Sequence, residues 1–271
     1  MSDKNILNIS GYRFVALSDL SELQTQIKNK LLDIGVMGNI MLATEGINVG
    51  IAGTPSQVYD AKEFLETIDS FKGIWLKESW SITVPFKKLR VRVRNEIIAF
   101  DGQQEVPLQL QRSQAPAMTP EQLDEWLDNK HDFTLLDARN DYEIVSGGIP
   151  GATHLDIKNF RHFKDAIDKA VTSGKLDPDK PLVTFCTGGI RCAKAAPWLL
   201  DNGFREVYQL DGGVLNYLES QQGGHWEGHC FVFDDRVEVD TTLTPTGAGL
   251  CDDCQLAVPL GTECRCQLGK H

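Results

Sequence analysis

The sequence predicts an α/β protein of two domains with a short cysteine-rich tail. The chain of 271 residues is long enough for two cores of ordinary size. Strand-like and helix-like apolar periods alternate in both halves. Between the halves, Asp101 to Met118 is rich in Gln, Pro and Ala and has little periodicity, as a connecting segment does. The expected bounds are 1–110 and 115–222 for the domains and 223–271 for a C-terminal extension.

The first half opens on a β-rich stretch, Asn8 to Leu17. Leu20, Leu23, Ile27, Leu31 and Ile34 then recur at helical spacing up to Gly35, a residue suited to a left-handed stop. Two short apolar runs, Asn39 to Ala43 and Asn48 to Ala52, flank Thr44-Glu45-Gly46-Ile47, where Gly46 can supply a positive φ for a hairpin. Thr54-Pro55-Ser56-Gln57 combines a hydroxyl cap, a first-turn proline and an N3 glutamine, and starts a second helix through Val58, Ala61, Leu65 and Ile68. Ile74 to Val84 returns to strand composition. The order is β-α-β-β-α-β, the split pattern of a ferredoxin-like domain, which by itself names no function.

Just beyond lies the most basic stretch of the chain. Lys88, Arg90, Arg92 and Arg94 alternate with Leu89, Val91 and Val93, which puts the cations on one face of a strand beside Lys87. The stretch reads either as a solvated face or as a phosphate-binding surface. A net charge of −11 excludes broad electrostatic attraction to nucleic acid, so any such contact must be local.

In the second half, Thr119-Pro120-Glu121-Gln122 repeats the capping pattern ahead of Leu123, Trp126 and Leu127, and an apolar strand follows at Phe133 to Leu136. Asp137-Ala138-Arg139 closes that strand. A later strand, Leu182 to Phe185, runs into Cys186-Thr187-Gly188-Gly189-Ile190-Arg191-Cys192 and then a helical segment, Ala193 to Leu200, with Pro197 expected to kink it. A parallel sheet binds ligands beyond the carboxyl ends of its strands, where a helix N-terminus offers free N–H groups. Cys186 there is stabilised as a thiolate by the helix dipole, the amides and the Arg191 cation, while Gly188 and Gly189 let the loop curl. Such a thiolate forms a persulfide or is oxidised readily. Arg191 follows after four residues, not the five of a phosphatase loop, which weakens a tyrosine-phosphatase reading. Cys192 either packs inward from the first helical turn or resolves an oxidised Cys186 as a disulfide.

Seven cysteines, an odd number in a chain with no export signal at Met1 to Ile9, indicate reduced thiols or metal ligands and a cytoplasmic protein with no membrane span. Cys251-x2-Cys254 and Cys264-x-Cys266 supply enough thiolates for a tetrahedral zinc site, with His229 or Cys230 as substitutes for one ligand. The second spacing is unusual for zinc, and a mobile tail would leave all four thiols free.

Leu135 to Glu143, Gly148-Ile149-Pro150-Gly151-Ala152 and the Cys186 loop together resemble a rhodanese domain. With Leu42 to Asn48, Tyr208 to Tyr217 and Cys230 to Val237, the chain resembles the rhodanese-related tRNA uridine(34) hydroxylase family over most of its length, although it stops sooner after Arg236 than longer members. That resemblance implies an acylphosphatase-like N-terminal domain. It also implies oxygen-dependent conversion of the wobble uridine to 5-hydroxyuridine, with Cys186 essential. The partner would be a tRNA anticodon loop, whose bases unstack more readily than those of a duplex. Molecular oxygen would be a co-substrate with an unidentified electron donor, and no organic cofactor motif is evident. Asp137 and Arg139 are expected as an ion pair supporting the loop, and Lys87, Lys88, Arg90, Arg92 and Arg94 as candidate tRNA contacts. A sulfurtransferase passing a Cys186 persulfide to a thiol or carrier uses the same thiolate. A noncatalytic redox or metal sensor built from Cys186, Cys192 and the tail thiols is a third reading.

Overall fold

The computed structural model describes residues 5–100, 115–264 and 266. The chain divides into two compact units, Met1–Arg112 and Ser113–His271. Most of the proposed connecting segment, 101–114, lies outside the described residues.

The first unit follows the expected order. β1 (Ile6–Phe14), α1 (Leu20–Ile34), β2 (Met37–Ala43), β3 (Gly46–Gly53), α2 (Pro55–Thr67) and β4 (Leu76–Ser81) build it, and β5 (Leu89–Val93) is added. The sheet order is β4-β1-β3-β2-β5, antiparallel except where β5 runs parallel to β2. The first and fourth strands are shorter than their apolar composition suggests, because Val15 to Leu17 and Ile82 to Val84 lie beyond the pairing register. Gly35 ends α1 at φ 88° and donates to Leu31 and Leu32. At Gly46 (φ 146°) an added Cβ would stand 2.0 Å from the Arg13 carbonyl oxygen, so the hairpin needs glycine there. The capping box of Thr54 and Gln57 forms as expected. Leu7, Ile47 and Ile51 from the sheet meet Ile27, Leu31, Val58 and Leu65 from the helices in one core.

The basic stretch becomes the edge strand β5. Val91 turns into the core, whereas Lys87, Lys88, Arg90, Arg92 and Arg94 are exposed, with no carboxylate at ion-pair distance among the described residues.

The second unit contains β6 (Ala117–Met118), α3 (Pro120–Asp128), β7 (Thr134–Asp137), α4 (Asp141–Ile144), β8 (Gly147–Gly148), β9 (Thr153–His154), α5 (Phe163–Thr172), β10 (Leu182–Phe185), α6 (Cys192–Asp201), β11 (Val207–Leu210) and α7 (Gly213–Gln221). Its five-stranded sheet has the order β6-β11-β10-β7-β9, with every pairing parallel. All four residues of β10 are buried, as a central parallel strand covered on both faces requires. Ala117 and Met118, read from composition as the end of a connecting segment, pair with Gln209 and Leu210 instead. Pro197 does not end α6, which continues to Asp201.

The described residues after α7 are paired rather than loose. β12 (Glu227–Gly228) pairs with β8, β13 (Cys230–Phe231) with β14 (Glu238–Val239), and β15 (Gly249–Leu250) with β16 (Ala257–Val258). Trp226, Cys230, Val232, Val239 and Leu243 share a core with Leu135, Val183 and Val214 of the sheet domain. Among the described residues no helix is long and apolar enough to cross a membrane.

Candidate active site

Cys186 follows the last residue of β10, and the seven-residue loop it opens closes at Cys192, the first residue of α6. Two helix N-termini hold the loop. The backbone amides of Arg191 and Cys192, at the start of α6, donate to the Cys186 sulfur. From the other side, at the start of α7, the amide of Val214 donates to the Cys186 carbonyl at 2.9 Å and that of Leu215 to the Thr187 carbonyl at 3.0 Å.

That second grip needs Gly213. Its φ is +65°, and a Cβ there would lie 2.4 Å from the Cys186 oxygen, 2.7 Å from the Gly189 nitrogen and 2.8 Å from the Thr187 oxygen. All three are backbone atoms that cannot rotate away. Gly213→Ala is expected to destabilise the domain by roughly 1–3 kcal/mol through backbone strain and to displace the loop. Urea denaturation and the labelling rate of Cys186 would measure this, and unchanged values in both would show that the loop tolerates the contact.

Cys186 is fully buried. Burial alone would push its thiol up, but the neighbouring Cys192 side chain, the Arg191 cation and the two amides outweigh it and pull the group down to about 5. At neutral pH the sulfur is a thiolate. The loop's open side is at Gly188, where an added Cβ would meet no atom within 4 Å.

Arg191 does more than place a cation near sulfur. Its Nη1 and Nη2 donate to the two carboxylate oxygens of Glu143 at 2.5 and 2.7 Å. Thr187 Oγ1 also donates to Glu143 at 3.1 Å. Glu143, Arg191 and Thr187 are all buried. Glu143 also accepts from the Asn140 amide at 3.0 Å, closing the capping box of α4. Burial opposes its ionisation, yet Arg191 and these hydrogen bonds hold it below the usual carboxylate range. Sequence reasoning assigned Glu143 no task. Asn140-x-x-Glu143 signals a cap, but nothing in the sequence links a cap to an arginine 48 residues away.

Asp137 and Arg139 form the expected ion pair, at 2.7 Å and with both side chains fully buried. Arg139 also donates to the Gly147 carbonyl at 2.7 Å and stacks under Trp226, 4.8 Å from its ring centroid. The pair lies beside the loop strand, since Asp137 is in register with Phe185. Two aromatic groups from beyond α7 were missed. One is Trp226; the other is Phe233, whose ring is 5.7 Å from the Arg191 guanidinium carbon and 59% exposed.

The tail thiols converge. Cys251 Sγ lies 3.5 Å from Cys266 Sγ and Cys254 Sγ 3.4 Å from Cys264 Sγ, with all four sulfurs within 4.8 Å of one another. A tetrahedral zinc with ordinary Zn–S bonds has sulfurs about 3.8 Å apart, so this donor set fits a closed four-thiolate site. Neither His229 nor Cys230 belongs to it: His229 faces Glu238 at 3.5 Å and Cys230 is buried with its thiol on the Phe231 carbonyl. Cys230 belongs to β13 and is buried in the domain core, whereas the His229 side chain is about half exposed.

Comparison with known proteins covers both domains. Residues 6–97 match the family described as the UPF0176 acylphosphatase like domain, and residues 119–220 match the rhodanese-like domain. A protein of Cupriavidus taiwanensis named tRNA uridine(34) hydroxylase is 39% identical over 93% of this chain and 89% of its own. One of the same name from Legionella pneumophila (strain Lens) is 40% identical over 89% and 92%, respectively. Another, from Cupriavidus pinatubonensis, is 36% identical over 98% of both chains. A solved rhodanese-like domain from Anabaena sp. aligns with 42% of this chain and 79% of its own at 26% identity and a TM-score of 0.35. At these identities over nearly the full length of both partners, the chain belongs to the tRNA uridine(34) hydroxylase family.

Proposed function

We propose that this protein hydroxylates C5 of the wobble uridine of tRNA, forming 5-hydroxyuridine, with Cys186 as the nucleophile. The observation that carries this reading is similarity to proteins of that name across both domains, joined to a buried thiolate at the end of the central strand.

The overall chemistry consumes molecular oxygen: one oxygen atom enters the C5–H bond and the other leaves as water, with two electrons and two protons from a reductant. In the proposed route the Cys186 thiolate adds to C6 of uracil, and the C5–C6 π pair moves toward C5 and O4. C5 then attacks oxygen, the peroxide anion takes up one proton, and the hydroperoxide takes the two electrons and two protons to give C5–OH and water. Loss of the C5 proton and the thiolate restores the double bond. The amides at the start of α6 and the Arg191 cation, which already favour negative charge at Cys186, stabilise developing negative charge beside it. The half-exposed Phe233 ring beside Arg191 offers an unstacked base a surface. The exposed cations Lys87, Lys88, Arg90, Arg92 and Arg94 serve the tRNA backbone. A tRNA substrate places the activity in the cytoplasm. Asp137 and Arg139 support the loop strand without touching substrate.

The test is mass spectrometry of tRNA nucleosides from cells lacking this protein and any parallel hydroxylation route. The wild-type chain is expected to restore 5-hydroxyuridine. Reversing the five basic residues to Glu is expected to reduce that restoration roughly tenfold or more, since each lost phosphate contact weakens binding. Persulfide transfer from Cys186, the simpler sulfurtransferase reaction, would be indifferent to the same change. No 5-hydroxyuridine with the wild type would sink the reading.

We further propose that Cys251, Cys254, Cys264 and Cys266 bind a structural zinc ion that fastens the last hairpin. Purified protein is expected to contain about one zinc per chain. Cys251→Ser with Cys264→Ser should lose the metal and make the chain after Thr246 sensitive to protease. Full protection in that metal-free variant would count against a structural role.

A further inference from the structure

The second unit has a cavity of about 620 Å³ that the proposed chemistry leaves unused. One wall is the chain that continues β9 past the carboxyl end of the sheet, from His154 to Lys158. The other is a face of α5 that carries Asp165 and Lys169 one turn apart, with Lys175 just beyond the helix.

Both walls are tied down. Lys175 Nζ donates to the His154 carbonyl and lies 3.4 Å from the Asp156 carboxylate, which joins the chain after α5 to β9. The Ile157 carbonyl accepts from the Asp141 amide at 2.9 Å, at the start of the helix α4 whose Glu143 holds Arg191. His154 Nδ1 is buried without a hydrogen bond, 3.8 Å from Asp137, the partner of Arg139.

The lining is basic in a chain whose net charge is −11: three lysines face two aspartates, with His154 and His162 neutral. Lys175 is engaged with Asp156. Lys158 and Lys169 are exposed, stand on opposite walls and have no carboxylate at ion-pair distance among the described residues. An ammonium is a compact point charge that binds a phosphate oxygen from any direction, so two such groups suit a phosphate.

The sheet register indicates which phosphate. His154 is opposite Asp137 on β7, and Asp137 is opposite Phe185 on β10, the residue before Cys186. Two strand spacings, about 10 Å, therefore separate the edge of the cavity from the strand of the thiolate. Both lie at the carboxyl ends of parallel strands, where such sheets hold ligands. A stacked nucleic-acid strand advances roughly 3.4 Å per nucleotide, so this distance is about two to three nucleotides.

We propose that the cavity is a phosphate subsite, in which Lys158 and Lys169 bind a tRNA backbone phosphate about two to three nucleotides from the uridine presented to Cys186. The inference rests on the reading of tRNA as the substrate. It gives the second unit an RNA contact of its own, separate from the basic strand β5 of the first.

The test is binding of unmodified tRNA to the full-length protein, followed by fluorescence anisotropy over a series of salt concentrations. Lys158→Gln with Lys169→Gln removes both ammoniums from exposed positions, where substitutions leave the fold intact. This double variant should bind roughly three- to tenfold more weakly, and the plot of log affinity against log salt should lose about 0.7 of its slope, the share of one single-strand phosphate. KM for tRNA should rise by the same factor with kcat unchanged, because a remote phosphate is held equally in the ground and transition states. Lys164→Gln removes a charge from α5 outside the cavity lining and should leave the slope as it is. Wild-type affinity and slope in the double variant would overturn the proposal, and so would a loss at Lys164→Gln equal to that at Lys169→Gln. Calorimetry with inorganic phosphate separates the sources of the anion: if the double variant loses phosphate binding but keeps its tRNA affinity, the cavity takes free anions and the RNA subsite is overturned. A wild-type chain that makes no 5-hydroxyuridine yet shows the lysine-dependent slope would overturn the hydroxylase reading and leave this inference standing.

Discussion

Cys186→Ala is expected to abolish 5-hydroxyuridine formation, lowering turnover by at least about 10³-fold while leaving the protein folded. The substitution removes one small buried group from a loop held by backbone hydrogen bonds to Val214 and Leu215, so the loop itself should persist. No neighbour can stand in for the lost sulfur. Cys192 keeps its proton, and Cys230 is pushed up to about 12 by burial despite the nearby Arg139 cation. Cys186→Ser should fail equally, because a hydroxyl in the same cradle does not ionise near neutral pH. Nucleoside mass spectrometry after single-turnover incubation with unmodified tRNA measures the effect. Retention of more than about a tenth of wild-type product would remove Cys186 from the chemistry.

The second large effect is expected at Glu143. Glu143→Ala leaves the Arg191 guanidinium, 3% exposed, without its bidentate partner and strips Thr187 of its acceptor. An uncompensated buried charge costs on the order of 3–5 kcal/mol, a large part of a domain's stability. Urea denaturation of the full chain should show a correspondingly lower midpoint for the second domain. Replacing both partners by apolar residues, Glu143→Leu with Arg191→Met, should restore most of the stability. It should not restore the readily ionised Cys186, whose field includes Arg191. A single Glu143→Ala variant as stable as wild type would mean that water reaches Arg191 in the folded protein. Because the folded protein holds Glu143 below its ordinary range, its contribution is complete above the unfolded carboxylate pKa and is lost as pH falls through the lowered value.

Much of this site could be read along the chain because its reactive part is local. Strand, Cys186, two glycines and helix occupy consecutive residues, and their chemistry follows from the free amides of a helix start. The N-terminal order of elements was legible for the same reason: the helical repeat from Leu20 to Ile34 and the caps at Thr54 and Thr119 depend on neighbours within a turn or two. The fifth strand was harder. Lys88 to Arg94 alternates as a strand should, but its partner β2 lies about fifty residues earlier, and no local feature indicates a parallel pairing.

The sequence by itself determined the element order of the first half, the strand–cysteine–helix segment around Cys186 in the second, and the presence of four tail thiols at metal-ligand spacing. Tertiary structure decided which groups meet across the chain. It joined Glu143 to Arg191, fitted Gly213 against the Cys186 carbonyl, and drew Trp226 and Phe233 over the two buried arginines. It also put Cys251 beside Cys266 and Cys254 beside Cys264, while leaving His229 and Cys230 elsewhere. The physical reason is range. Propensity, capping and amide polarity act between residues a few positions apart, whereas burying a charge or closing a thiolate cluster depends on distances that exist only once the sheet has formed.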